Sequence, residues 1–168
     1  MSPKALMLLA GASLIVAGCA SSKRPLPQPP INSGGGSLGN PNANQGPAPG
    51  SQEDFLARVS SDRVFFDTDR FDIDGEDAAT LASQAEWLKR YPNTRVTIEG
   101  HCDERGTRDY NIALGERRAN AAKNYLASLG ISPSRISTIS YGKERPDALG
   151  SDDAAWARNR RAVSVTIR

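Results

Sequence analysis

The chain has 168 residues, 24% of them charged, with 21 Lys and Arg against 19 Asp and Glu and a formal net charge of +2. That near balance excludes the strongly basic footprint of a nucleic-acid-binding domain, although Arg105, Arg108, Arg117 and Arg118 cluster closely enough to predict a local basic surface suited to carboxylates. No run reaches the ~20 apolar residues that span a bilayer, so a permanent transmembrane helix is the weaker reading of the apolar N-terminus.

Residues 1–18 carry one positive charge, Lys4, then an apolar run from Ala5 to Ala17, and end in small residues before Cys19. This predicts a secretory signal. Val16-Ala17-Gly18-Cys19 is similar to a bacterial lipobox, in which the cysteine receives a diacylglycerol and its new amine is acylated. Several acyl chains at ~0.8 kcal/mol per buried methylene make a durable anchor where one chain holds marginally. An aspartate after the cysteine would resemble the inner-membrane retention signal of many bacteria; Ala20 stands there and favours the outer membrane. With Cys19 lipidated, Cys102 has no partner in the chain, and a small buried residue at a strand end is the reading preferred over a reactive thiol.

From Ala20 to Ser51 there are seven prolines and six glycines, no aromatic residue, and only Lys23 and Arg24 as charges. Such a segment builds no core and reads, with Cys19, as a tether over 19–51, with an r.m.s. span of ~30 to 40 Å and a contour limit of ~120 to 140 Å. Residues 52–168 are then one domain of ordinary size.

Within it, Arg63 to Phe66 reads as a first strand and Asp67 to Asp74 as an acidic loop whose last residue caps a helix. Leu81, Ala85 and Leu88 recur at helical spacing until Tyr91-Pro92. Arg95 to Glu99 alternates as a second strand, and a helix runs from about Arg108 to Leu129, ending at Gly130 in a left-handed cap. Ile136 to Ser140 is a short third strand and Tyr141 to Pro146 a turn. A short helix near Asp152 to Ala157 follows, and Val163, Val165 and Ile167 alternate through a last strand. The order βαβαβ(α)β predicts an α+β two-layer sandwich, with helices on one face of a mixed four-stranded sheet.

The stretch from Ile98 to Leu126 carries the chemistry. On a 3.6-residue helix Asn111, Leu114 and Arg118 share a narrow wedge beside the apolar stripe of Ala119, Ala122 and Leu126, while Arg117 points to water. An arginine at the edge of a packed face needs an acceptor, and Asp103, ending the preceding strand, is the expected opposite charge. The pair either ties the strand end to the helix or grips a ligand; the residues alone leave both open.

The pattern Gly100, Asp103, Gly106, Tyr110, Asn111, Leu114, Arg118, Ala119 resembles the OmpA-like peptidoglycan-binding family, whose motif reads G-x-x-D-x-x-G-x-x-x-Y-N-x-x-L-x-x-x-R-A. FFDTDRFDI at 65–73, ISYGKERP at 139–146 and NRRAVSV at 159–165 extend the resemblance over the C-terminal domain. It implies the same fold, no cofactor, and non-covalent binding of the diaminopimelate residue of the peptidoglycan stem peptide, whose free end is zwitterionic. Carried over, Asp103 would accept from the ammonium and Arg118 would hold the carboxylate. Asn111 would fix orientation, Leu114 would wall the methylenes, and Arg105 would add a second carboxylate contact. The Thr68 and Asp69 loop would add backbone contacts from across the cleft, and Thr107 with the first helix amides would add a positive dipole end. The implied partners are peptidoglycan, TolB and other Tol-system or outer-membrane proteins, with TolB meeting the same cleft region. On this reading Arg118→Ala and Asp103→Ala each weaken wall binding tenfold or more and change thermal unfolding little.

Three other readings rank lower. Hydrolysis would need a nucleophile and base or two facing carboxylates, but His101 and Cys102, like Asp103 and Glu104, are neighbours that diverge along an extended chain. Asp69, Asp72, Asp74 and Asp77 make an incomplete calcium loop. A pure protein-interaction module centred on TolB is the third.

Overall fold

The computed structural model describes residues 46–167; the signal, Cys19 and the tether as far as residue 45 lie outside the described residues. The domain is assembled from α1 (Gln52–Arg58), β1 (Arg63–Phe65), α2 (Gly75–Arg90), β2 (Arg95–His101), α3 (Arg108–Ser128), a 3-10 turn (Pro133–Arg135), β3 (Ile136–Gly142), α4 (Asp153–Asn159) and β4 (Arg161–Ile167). The sheet order is β1-β4-β2-β3, with β2 and β3 parallel and the other two pairings antiparallel. This is the predicted mixed four-stranded α+β sandwich.

Period-two alternation places Val64, Val96, Ile98, Ile136 and Ala162 on one sheet face, against Leu81, Ala85 and Leu88 of α2 and Ala119, Ala122 and Leu126 of α3. The opposite face leaves Phe65, Ile139 and Ile167 half exposed. Asp74 caps α2 as its sequence position predicts, accepting from the amides of Glu76 and Asp77. Gly130, at φ 93°, ends α3.

The chain departs from the prediction mainly at edges. A helix that the sequence did not announce, α1, follows the tether. Ser51 caps it, Phe55 is fully buried, and the carboxylate of Asp54 accepts from the Trp87 indole and the Gly50 amide. Its single core side chain is too little for a periodic signal. β2 continues past Glu99 to His101, and β3 past Ser140 to Gly142, because the parallel ladder shifts register at Gly100/His101 and keeps both strands paired.

That extension positions the site. Gly100 of β2 and Gly115 of α3 meet backbone to backbone: a Cβ added at Gly100 would overlap the carbonyl of Gly115, and one added at Gly115 would strike the Ser140 hydroxyl. Only two glycines allow α3 to lie this close to the strand. The helix side chains on either side, Leu114 and Arg118, are thereby brought over the strand end.

Candidate functional site

At the C-terminal end of β2 a cleft of about 300 Å³ opens between the β1–α2 loop and the start of α3. Thr68 and Asp69 form one wall. Asp103, Arg105 and Gly106 form the rim, Tyr110, Asn111, Leu114 and Arg118 the helix side, and Cys102 and Arg160 complete the lining. Seven of the eight binding residues expected from the sequence therefore converge. The eighth, Thr107, sits just outside the wall, its hydroxyl accepting from the Tyr110 amide as the cap of α3.

Arg118 is fully buried. Its Nε donates to the Arg70 carbonyl at 2.9 Å, Nη1 to the His101 carbonyl at 2.8 Å and to Cys102 Sγ at 3.4 Å, and Nη2 to the Asp67 carbonyl at 3.0 Å. Phe66 lies under the guanidinium, with its centroid 5.2 Å away. The expected ion pair with Asp103 is not formed, which corrects the sequence reading. Helical spacing fixes the face of Arg118 but says nothing of the carbonyls that crowd the strand end and loop. Burial pushes its pKa down, yet a guanidinium stays charged under any physiological condition. Among the described residues no carboxylate forms an ion pair with it, and its second Nη2 hydrogen is uncommitted.

Asp103 turns instead to two other cations. Arg105 meets it through Nη2 at 2.7 Å and Nε at 3.2 Å, and Arg160 Nη1 lies at 3.4 Å. Burial alone would push the carboxyl up, but the hydrogen bonds from the Arg105 side chain and amide and from Arg160 hold it below the usual carboxylate range. The cleft thus contains a buried cation and an ionised carboxylate that do not neutralise each other by contact. It can take a ligand that carries both charges.

The OmpA family model matches residues 65–160, more than half of the chain. The chain belongs to the OmpA family. Within it, the sequence is 50% identical to the peptidoglycan-associated lipoprotein of Agrobacterium fabrum, over 91% of this chain and 82% of that protein, and 41% identical to that of Pasteurella multocida, over 94% and 93%. The crystal structure of the peptidoglycan-associated lipoprotein from Burkholderia pseudomallei is similar at a TM-score of 0.62 and 42% identity, covering 67% of this chain and 93% of that one. The C-terminal domain of Helicobacter pylori MotB, at 19% identity and a TM-score of 0.60, shares the fold.

In this OmpA-family domain the remaining side chains are occupied in ways the sequence did not show. Asn111 is buried and spends its amide nitrogen on the carbonyls of Arg105 at 2.7 Å and Thr107 at 3.1 Å, holding the rim loop. Two bonds cross the mouth of the cleft: Arg105 Nη2 to Thr68 Oγ1 at 3.2 Å, and the Tyr110 hydroxyl to Asp69 Oδ1 at 3.0 Å. Asp69 supports that contact from the left-handed region, at φ 57°. Arg160 went unassigned in the sequence. Its signal was slight: Arg160 sits between α4 and β4, next to the first residue of the strand, Arg161. Arg160 reaches Asp103 and the Phe66 carbonyl, while Arg161 bonds the Asn159 and Arg145 carbonyls.

The predicted basic surface is dispersed. Arg118 is buried, Arg108 pairs with Glu144 at 3.2 Å, and Arg117 lies over Phe71. The acidic loop is likewise divided: Asp72 pairs with Arg70, Asp74 caps α2, and Asp77 accepts from the Phe65 amide. His101 packs on Tyr141, whereas Cys102 faces Asn111 and Arg118 with its thiol pushed up by burial. Asp103 turns into the cleft and Glu104 away from it to the Trp156 indole. Neither neighbouring pair is composed for hydrolysis. A wider cleft of about 480 Å³ adjoins the first through Arg160, but its charges are largely paired, Arg70 with Asp72 at 2.6 Å and Arg158 with Asp147 at 3.0 Å.

Proposed function

We propose that this protein is an outer-membrane lipoprotein that binds peptidoglycan without covalent chemistry, taking the zwitterionic end of the stem-peptide diaminopimelate into the cleft of Asp103 and Arg118. The observation that carries this reading is the buried Arg118, charged, bonded to carbonyls alone among oxygen acceptors, and sharing a cleft with an ionised Asp103. Carbonyl dipoles offset part of the desolvation of a guanidinium, and a ligand carboxylate at its remaining Nη2 hydrogen completes the balance. The ligand ammonium displaces Arg160 from Asp103, and Arg105, beside it, makes the second carboxylate contact. Leu114 packs on the methylenes. At about 1.5 to 3 kcal/mol for each charge-assisted bond, two such bonds supply much of a micromolar affinity.

Anchored through lipid on Cys19 at the periplasmic face of the outer membrane, with residues 19–51 as tether and 52–168 as the binding domain, the protein links membrane to wall as part of the Tol-Pal system. The relatives' shared name supports this placement. TolB is the protein partner, docking over the same cleft, where Tyr110 leaves aromatic surface exposed, so that wall and TolB exclude each other. The protein has no enzymatic role in the wall.

The test is retention on purified sacculi. Wild-type protein co-sediments, and Asp103→Asn reduces the bound fraction tenfold or more at equal protein concentration. Undiminished retention of Asp103→Asn removes the site assignment. Soluble muropeptides released in the same tubes would instead support a hydrolase.

A further inference from the structure

Arg105 is an exposed charged group of the cleft, with 41% of its side chain open to water, and yet it is held in one place. Two of its contacts are within the cleft, to Asp103 and Thr68. The third comes from outside. The face of the Trp156 indole, on α4, lies 4.3 Å from the guanidinium carbon. That ring is fixed in turn, because its Nε1 donates to Glu104 Oε1 at 3.1 Å. Lys143 closes the same loop from the far side, donating to the carbonyls of Glu104 at 3.0 Å and Gly106 at 2.7 Å.

An exposed arginine samples many rotamers and loses that freedom when it binds a carboxylate. A guanidinium already stacked on an indole has been confined before the ligand arrives. We propose that Trp156 is a positioning residue of the cleft: braced by Glu104, its ring holds Arg105 where the guanidinium covers Asp103 in the empty site and meets the ligand carboxylate in the filled one. The role rests on the diaminopimelate reading above and acts wholly through Arg105. Selectivity for a doubly charged headgroup then depends on α4, an element that does not itself line the cleft.

Two measurements on the full-length mature chain in detergent micelles test it. The first needs no ligand. The indole ring current shifts the Arg105 Nε–H proton resonance upfield in wild type, Trp156→Leu returns it to the position of a solvated arginine, and Trp156→Phe retains most of the shift. The second is calorimetry with a synthetic stem tripeptide ending in diaminopimelate. Trp156→Leu, which keeps apolar bulk without a π face, weakens binding about threefold to fivefold, as loss of a partly exposed cation–π contact predicts. Trp156→Phe binds within about twofold of wild type. In an Arg105→Ala background Trp156→Leu has no further effect.

The proposal is overturned by an Arg105 resonance that ignores the leucine substitution, by unchanged tripeptide affinity, or by an equal loss with and without Arg105. A wild-type chain with the upfield resonance that fails to bind the tripeptide shows that the functional reading has failed while the stacked geometry stands, and it ends the positioning role with that reading.

Discussion

A guanidinium with no solvent exposure and three carbonyl acceptors makes Arg118 a structural group, in addition to the binding role proposed for it. The wedge of Asn111, Leu114 and Arg118 was legible from helical spacing alone, as was the outward face of Arg117. The partners were not, since backbone carbonyls have no signature in residue identity. This changes a prediction. Arg118→Ala leaves the Arg70, His101 and Asp67 carbonyls without their donor and opens a void, so chemical denaturation should show a loss of about 2 to 4 kcal/mol rather than an unperturbed fold. Asp103→Asn, buried but similar in shape, opens no void and should cost less stability than Arg118→Ala, which makes it the cleaner test of binding. Asp77 makes a separate residue-scale prediction. Burial pushes its carboxyl up to about 6, and one oxygen is buried without a hydrogen-bond partner. Between its ordinary value of 3.8 and about 6 the folded chain holds a proton that the unfolded chain has lost, so stability falls as pH rises through that window. Asp77→Asn should therefore raise the thermal midpoint at pH 7.5 and leave it nearly unchanged at pH 3.5; an equal effect at both would refute the assignment.

At the scale of elements, every strand and every long helix was readable from apolar period and breakers, because each buries one regular face. What escaped was held by single contacts. The α1 helix is fastened by Phe55 and by Asp54, whose carboxylate also meets Arg58 and the Trp87 indole. Burial opposes ionisation of Asp54, but the bonds from Arg58, Gly50 and Trp87 win and lower its pKa to about 2. Its contribution is complete above the ordinary value of 3.8 and is lost as pH falls through about 2, so α1 should release in acid before the sheet does. Amide exchange of residues 52–58 against pH reads this directly, and simultaneous loss of α1 and β2 protection would contradict it. Gly100 shows the other limit of sequence reading. The motif marked it, while the reason, close approach to Gly115, is visible only in three dimensions. Gly100→Ala must push α3 off β2, at about 3 kcal/mol, and should weaken sacculus binding beyond what lost stability explains, because Arg118 and Leu114 move with the helix.

For the whole molecule, the sequence joins a Pro- and Gly-rich segment to a folded domain, and the proposed function gives that segment the role of a tether. On the proposed reading, a flexible chain over residues 19–51, with a span on the order of 30 to 40 Å and a contour limit of at least ~120 Å, would set how far the wall can lie from the lipid. Cys19→Ser should leave the protein soluble in the periplasm with its wall affinity intact, separating the two ends of the linkage; continued fractionation with the outer membrane would contradict the anchor. The resemblance to the family motif named most of the residues that gather in the cleft, at fixed offsets around one strand end, with the Thr68 and Asp69 loop arriving from elsewhere in the chain. The internal wiring of the cleft was not foreseen, because Arg160 and Trp156 arrive from about fifty residues further along the chain. The most direct measurement is a crystal structure of the domain soaked with diaminopimelate. The account predicts the ammonium within hydrogen-bond distance of Asp103 and a carboxylate on Nη2 of Arg118. Ligand settled in the neighbouring cleft beside Phe65, or a cleft left empty at saturating concentration, would contradict it.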